Sequence, residues 1–158
     1  MSTCLQDHIS FAAVHGKQPG QQITVNGTTY SVFAQHCLQH SEGACFPKEF
    51  ELYAFDKIVQ KGIDQDDECF SAFASFGKRR TTGLANYLKE QNIQQVFVAG
   101  MTLEQCVKQT VQDAIQEGFE TYLVSDACAP VDADAEAGIL KDLHGAGARL
   151  IVSADIPC

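Results

Sequence analysis

The sequence predicts an α/β fold: a three-layer αβα arrangement around a mostly parallel sheet, in one domain over residues 1–158. Two observations carry this. From residue 50 onward, short apolar runs rich in β-branched residues alternate with stretches of helical period, and glycines follow the helical stretches. Strands that alternate with helices of this length make βαβ units, whose sheets are covered on both faces.

The elements follow in order. The first third is irregular, except that Asn26-Gly27 lies between Ile23-Thr24-Val25 and Thr28-Thr29-Tyr30, a strong hairpin signal. Tyr53 to Gln60 is expected as a strand, and Thr82 to Gln91 as a helix with Leu84, Tyr87 and Leu88 on one face. Gln94 to Ala99 is a short buried-strand run. A helix is expected over 106–117, with Val107, Val111, Ala114 and Ile115 forming its apolar stripe and Gly118 stopping it. Thr121 to Asp126 is the next strand. A helix from about Asp134 to His144 turns Ile139, Leu140 and Leu143 inward and ends at Gly145 and Gly147, and Arg149 to Ser153 is the last strand.

Composition narrows the function. The formal charge of -9 and a pI near 4.8 argue against a nucleic-acid or anionic-membrane partner. No run is long enough to span a bilayer, and the N-terminus lacks the pattern of a secretory signal, so a cytoplasmic protein is expected. The 7 cysteines include no CxxC pair, which fits reduced thiols better than a disulfide framework or a structural zinc site.

Cys106 is the residue placed for chemistry. It stands where the 94–100 strand gives way to a helix. Unpaired N–H groups and the positive end of the dipole at a helix start favour thiolate over thiol. The carboxyl end of a parallel strand is also where open α/β sheets place their ligands. On these residues alone, a buried structural cysteine fits equally well.

Four blocks then show a resemblance to a known family, the isochorismatase-like cysteine hydrolases, and among them to nicotinamidases. Asp7-His8-Ile9-Ser10-Phe11 resembles the end of a D-W-H-P-x-x-H-x-S-F block. Gln35-His36-Cys37-Leu38-Gln39 with Gly43-Ala44-Cys45-Phe46 resembles W-P-x-H-C-V-Q-G-T-x-G-A-x-F. Lys61-Gly62 with Ser71-Ala72-Phe73 resembles K-G…Y-S-x-F, and Gly100 to Val107 resembles G-[LM]-[AT]-x-[DE]-x-C-V. The match runs in order along nearly the whole chain.

The resemblance implies an isochorismatase-like hydrolase fold and a reaction. Nicotinamide and water become nicotinic acid and ammonia through a thioester on Cys106, in pyridine-nucleotide salvage. A cis peptide at Met101-Thr102 would bring the backbone N–H groups of Thr102 and Cys106 together as an oxyanion hole. Lys61 would stand beside the thiol. His36 matches a ligand of a divalent metal, zinc or iron, and His8 a second histidine at the same ion. Phe33 would line the pocket for a flat ring. His15, His40 and His144 match nothing and are read as surface residues. Without the resemblance, Lys61 is a solvated charge, the histidines are loop residues and Phe33 is core packing. Homo-oligomers are common in the family, but the sequence fixes no stoichiometry.

Departures are also visible. The alignment that places His8 puts Ser2 and Cys4 where the family has an aspartate and a histidine, so two metal ligands are absent. The family's catalytic aspartate, on a strand upstream of the first block, has no counterpart, so the fold is expected to be N-terminally incomplete. Two other readings therefore stand beside the nicotinamidase: another amidase of the same superfamily, and an inactive truncated paralogue serving as a binding or oligomer subunit.

Overall fold

The computed structural model describes residues 4–25, 27–47, 55–78 and 80–157. The chain divides into two compact units, Met1–Cys69 and Phe70–Cys158.

The first unit contains one hairpin, as the Asn-Gly signal predicts. Strands β1 (Gln22–Val25) and β2 (Thr28–Ser31) pair antiparallel, with Ile23 opposite Tyr30. Loops and short 3-10 turns make up most of the rest, stitched by backbone bonds such as Cys4 N–H to the Cys37 carbonyl (2.9 Å) and Ile9 N–H to the Gln65 carbonyl (2.8 Å). Phe11 and Val32 are fully buried here. The strand expected over Tyr53 to Gln60 is not found. Tyr53 and Ala54 lie outside the described residues, and 55–60 has no ladder. Phe55 and Ile58 are exposed, so this apolar run has no surface against which a strand could bury it.

The second unit is the α/β part. Strands β3 (Gln95–Met101), β4 (Glu120–Ala129) and β5 (Arg149–Ile151) form a parallel sheet in the order β3-β4-β5. Three helices connect or precede them: α1 (Leu84–Glu90), α2 (Lys108–Gln116) and α3 (Glu136–Gly145). Val98 pairs with Leu123, and both pack with Leu103, Val107, Val111, Ile139 and Leu143. Val96 joins a second cluster with Phe73, Leu88, Ala114 and Phe119. Side chains alternate along a strand, so Val96 and Val98 share the face on which the helices pack. The opposite face carries Phe97 stacked on Tyr122 (4.7 Å between rings), with the Arg149 guanidinium over Tyr122. β4 runs past the expected Asp126. Its register against β3 slips between Val98 and Gly100, and the Asp126 carboxylate accepts the Ser153 N–H (2.7 Å) and hydroxyl (2.6 Å).

Each helix ends in the same way. After α2, Gly118 adopts a φ of +90, its N–H reaches the Ile115 carbonyl, and Phe119 N–H reaches Ala114, the Schellman arrangement. Gly147 with Ala148 repeats it after α3, and Asn92 with Ile93 after α1. A Cβ at Gly118 would meet nothing within 4 Å, so only its backbone conformation opposes a side chain. Gly118→Ala is therefore expected to lower stability by about 1 kcal/mol in urea unfolding, and Gly118→Asn by less. An unchanged midpoint in the alanine variant would show that the left-handed turn is not retained.

Candidate active site

The segment that bears Cys106 is a single π-helical turn, Leu103–Val107, between β3 and α2, so the regular helix starts at Lys108 rather than at Cys106. π turns insert an extra residue and are common at functional sites. Leu103 and Val107 are buried at its two ends, while Glu104, Gln105 and Cys106 between them are half-buried. The Met101–Thr102 peptide is cis, and the Thr102 carbonyl accepts the N–H groups of Gln105 (3.3 Å) and Val107 (3.1 Å). The Cys106 carbonyl accepts the Thr110 hydroxyl at 2.6 Å, and the same hydroxyl oxygen accepts Ala72 N–H at 3.0 Å. Thr110 thereby ties the Ser71-Ala72-Phe73 block to the turn that bears the thiol.

Glu104 holds the other side of the turn. Its Oε1 accepts the N–H groups of Val131 (2.6 Å) and Asp132 (2.9 Å), and its Oε2 is buried with no hydrogen-bond partner among the described residues. Burial pushes this carboxyl up, but the backbone donors of Asp132, Glu104 itself and Val131 together outweigh it and leave it below the ordinary glutamate value. At the end of β4, burial pushes the Cys128 thiol up, marking it as less reactive.

The other residues singled out from the sequence belong to the first unit. His8 is fully buried; its Nδ1 lies 2.7 Å from the Ser10 hydroxyl and also accepts Ser10 N–H at 3.2 Å. Burial lowers its pKa, against a smaller opposing effect of the Asp67 backbone, and Nε2 has no partner with hydrogen-bond geometry among the described residues. His36 is exposed and its Nδ1 donates to the Ala34 carbonyl (2.8 Å). Phe33 packs edge-on against His36 (5.9 Å), and Phe11 lies against both His36 (5.5 Å) and His8 (5.8 Å). Lys61 is half-buried and donates to the Cys69 carbonyl at 2.9 Å. His15, expected at the surface, is half-buried, with Nε2 2.7 Å from the Ile9 carbonyl.

A zinc or iron ion held by protein side chains ordinarily needs three of them to converge. Among the described residues no three His, Cys, Asp or Glu side chains do so. Ser2 lies outside those residues, Cys4 is buried, and the Phe11 ring packs against both histidines. The resemblance joins His8 and His36 at one ion, but the described residues do not fit a metal.

Glu68 is the residue that sequence reading missed. It is buried, with Oε1 accepting Cys69 N–H (2.9 Å) and Oε2 without a hydrogen-bond partner among the described residues. Burial pushes its carboxyl up, only partly offset by the Cys69 N–H, Lys61, His36 and the Ser10 hydroxyl. A carboxyl with a raised folded-state pKa contributes stability below its ordinary value, near 4.5, and that contribution is lost as pH rises through the raised value. Glu68→Gln is neutral throughout. Its melting temperature is expected to gain on the unmodified protein as pH rises above the ordinary glutamate value of 4.5. A difference that stays constant with pH would show that Glu68 is as easily ionised as a solvated carboxyl.

The chain can now be set beside known proteins. Residues 16–155 match the isochorismatase domain model. A nicotinamidase of Escherichia coli is 32% identical over 151 residues, covering 94% of this chain and 71% of that protein. A nicotinamidase of Acinetobacter baylyi is 35% identical over 127 residues, covering 80% of this chain and 59% of that protein. This chain thus spans about three fifths to seven tenths of their lengths. Among solved structures, an Acinetobacter baumannii nicotinamidase/pyrazinamidase superposes with a TM-score of 0.93 at 32% identity, over 99% of this chain and 76% of that one. A pyrazinamidase of Pyrococcus horikoshii, solved in complex with zinc, gives 0.72 at 26%, over 96% of this chain and 72% of that one. Fold, motif order and family model agree, and the chain belongs to the isochorismatase-like hydrolase family.

Proposed function

We propose that this protein is a nicotinamidase-type amidohydrolase that converts nicotinamide and water to nicotinic acid and ammonia, in salvage of pyridine nucleotides. The observation that carries the reading is the nucleophile turn, a half-buried cysteine at the carboxyl end of a parallel strand, in a chain that matches solved nicotinamidases throughout. In this reading the Cys106 sulfur attacks the amide carbonyl carbon, and the electron pair of the C=O bond moves onto oxygen. The backbone N–H groups of Thr102 and Cys106 stabilise that oxyanion, each such donor being worth roughly 10²–10³-fold in rate. The C–N bond then breaks and the thiol's proton leaves with the nitrogen as ammonia. Water cleaves the thioester, giving the acid and restoring the thiol. Lys61 supports the thiolate, and Phe33 takes the flat face of the substrate ring.

A second reading is a non-catalytic subunit of the same fold; what favours it is that no three-ligand cluster for a metal forms among the described residues. No helix among the described residues is long and apolar enough to cross a membrane, which is consistent with a small-molecule substrate met in solution.

Release of ammonia and nicotinic acid from nicotinamide by the purified chain tests the first reading. Turnover is expected, falling by roughly 10³-fold or more in Cys106→Ala. Full activity in that variant would remove Cys106 as nucleophile, while a folded but silent unmodified chain would favour the non-catalytic subunit. Thiol mapping with iodoacetamide at neutral pH should find Cys106 the fastest of the 7 cysteines and Cys69 and Cys128, both pushed up by burial, among the slowest. Indistinguishable rates would mean that the turn does not activate its thiol.

A further inference from the structure

We propose that Glu104 is the positioning residue of this site, a carboxylate clamp that fixes the Cys106 turn against the loop following β4. The proposal rests on Cys106 being the nucleophile. Glu104 stands two residues before Cys106 within the same π turn, and one of its oxygens receives two consecutive backbone N–H groups, those of Val131 and Asp132. Paired donors on one carboxylate oxygen form a strong, directional grip. The Val131 side chain is 80% exposed and Asp132 is exposed, its own carboxylate turned to the Asp134 N–H.

The apolar anchors of the turn stand at its ends, Leu103 and Val107 in the core. Burial of those two side chains sets the depth of the turn. The rotation of the residues between them is set by polar contacts, the Thr110 hydroxyl on the Cys106 carbonyl and the Glu104 carboxylate on the loop after β4. A misplacement of about 1 Å at a reacting atom costs roughly 10²-fold in rate, so a clamp in the same turn as the thiol acts on catalysis without touching substrate. The buried Oε2, which has no hydrogen-bond partner among the described residues, is the cost of using a carboxylate here.

The test compares Glu104→Ala and Glu104→Gln with the unmodified full chain by three readouts: amide hydrogen exchange, iodoacetamide alkylation with Cys128 as internal reference, and nicotinamide turnover. In Glu104→Ala, exchange at Val131 and Asp132 is expected to rise about tenfold, the factor that loss of one charge-assisted hydrogen bond supplies. Alkylation of Cys106 should fall about tenfold while Cys128 is unchanged, and kcat should fall with KM held. Glu104→Gln keeps an acceptor oxygen and should recover most of each loss, which a general loosening of the fold would not permit. Cys106 alkylation within about twofold of the unmodified chain in both variants, or all thiols changing together, would overturn the clamp. Should the alanine variant not fold, the glutamine variant decides alone: about a threefold fall in Cys106 alkylation supports the clamp, and no change overturns it. Should nicotinamide not be hydrolysed even by the unmodified chain, the reading of Cys106 fails, while exchange and alkylation still decide what Glu104 does.

Discussion

Burial of Leu103 and Val107 is the constraint on which the site depends. Both side chains enter the cluster formed with Val98, Leu123, Val111 and the α3 residues Ile139 and Leu143. That cluster joins the sheet to two helices, so the turn cannot shift without opening the core beneath it. Fully burying a leucine or valine side chain contributes about 1.5–3 kcal/mol, enough to set the turn's depth firmly. The residues between the anchors stay half-buried because the anchors face inward. A thiol held at the surface of a rigid core is accessible without being mobile.

The two units achieve order by different means. In Phe70–Cys158 the buried groups are mostly aliphatic or aromatic, and regular hydrogen-bond ladders satisfy the backbone. In Met1–Cys69 a larger share of the buried residues is polar, with His8, Ser10, Asp67 and Glu68 inside beside Phe11 and Val32, and few ladders to organise them. Such groups are costly to bury and fold specifically only if their partners are in place. The opposite shifts of His8 and Glu68, one down and one up, have one cause: burial favours the neutral form of each.

These differences explain what the sequence made legible. The Asn26-Gly27 hairpin, the Gly118 and Gly147 helix stops and the 94–100 strand were readable because each rests on local conformation or on a single period. The π turn was not, since the Val107, Val111, Ala114 stripe continues smoothly through it and only the hydrogen bonding changes. The 55–60 segment misled because an apolar run signals a strand only where a sheet is available to receive it. Around Cys106, the cis Met101–Thr102 peptide was legible from the motif. Glu104 stood inside that motif, but its partners lie beyond the next strand, at Val131 and Asp132. Glu68 and Ser10 were hidden because a buried polar contact leaves no periodic trace.

The three matching helix ends have a consequence for how this architecture can vary. Each returns an apolar residue, Ile93, Phe119 or Ala148, to a carbonyl in the last turn of the helix it leaves, and β3, β4 and β5 begin directly afterwards. Residues 91–94, 117–119 and 146–148 are thus closed hydrogen-bonded hinges with no slack to take up an added residue. An added residue is accommodated more easily at the opposite rim of the sheet, where strands run out into helices. That rim bears Cys106. The rigidity of one end therefore leaves the freedom to vary at the other, beside the cysteine.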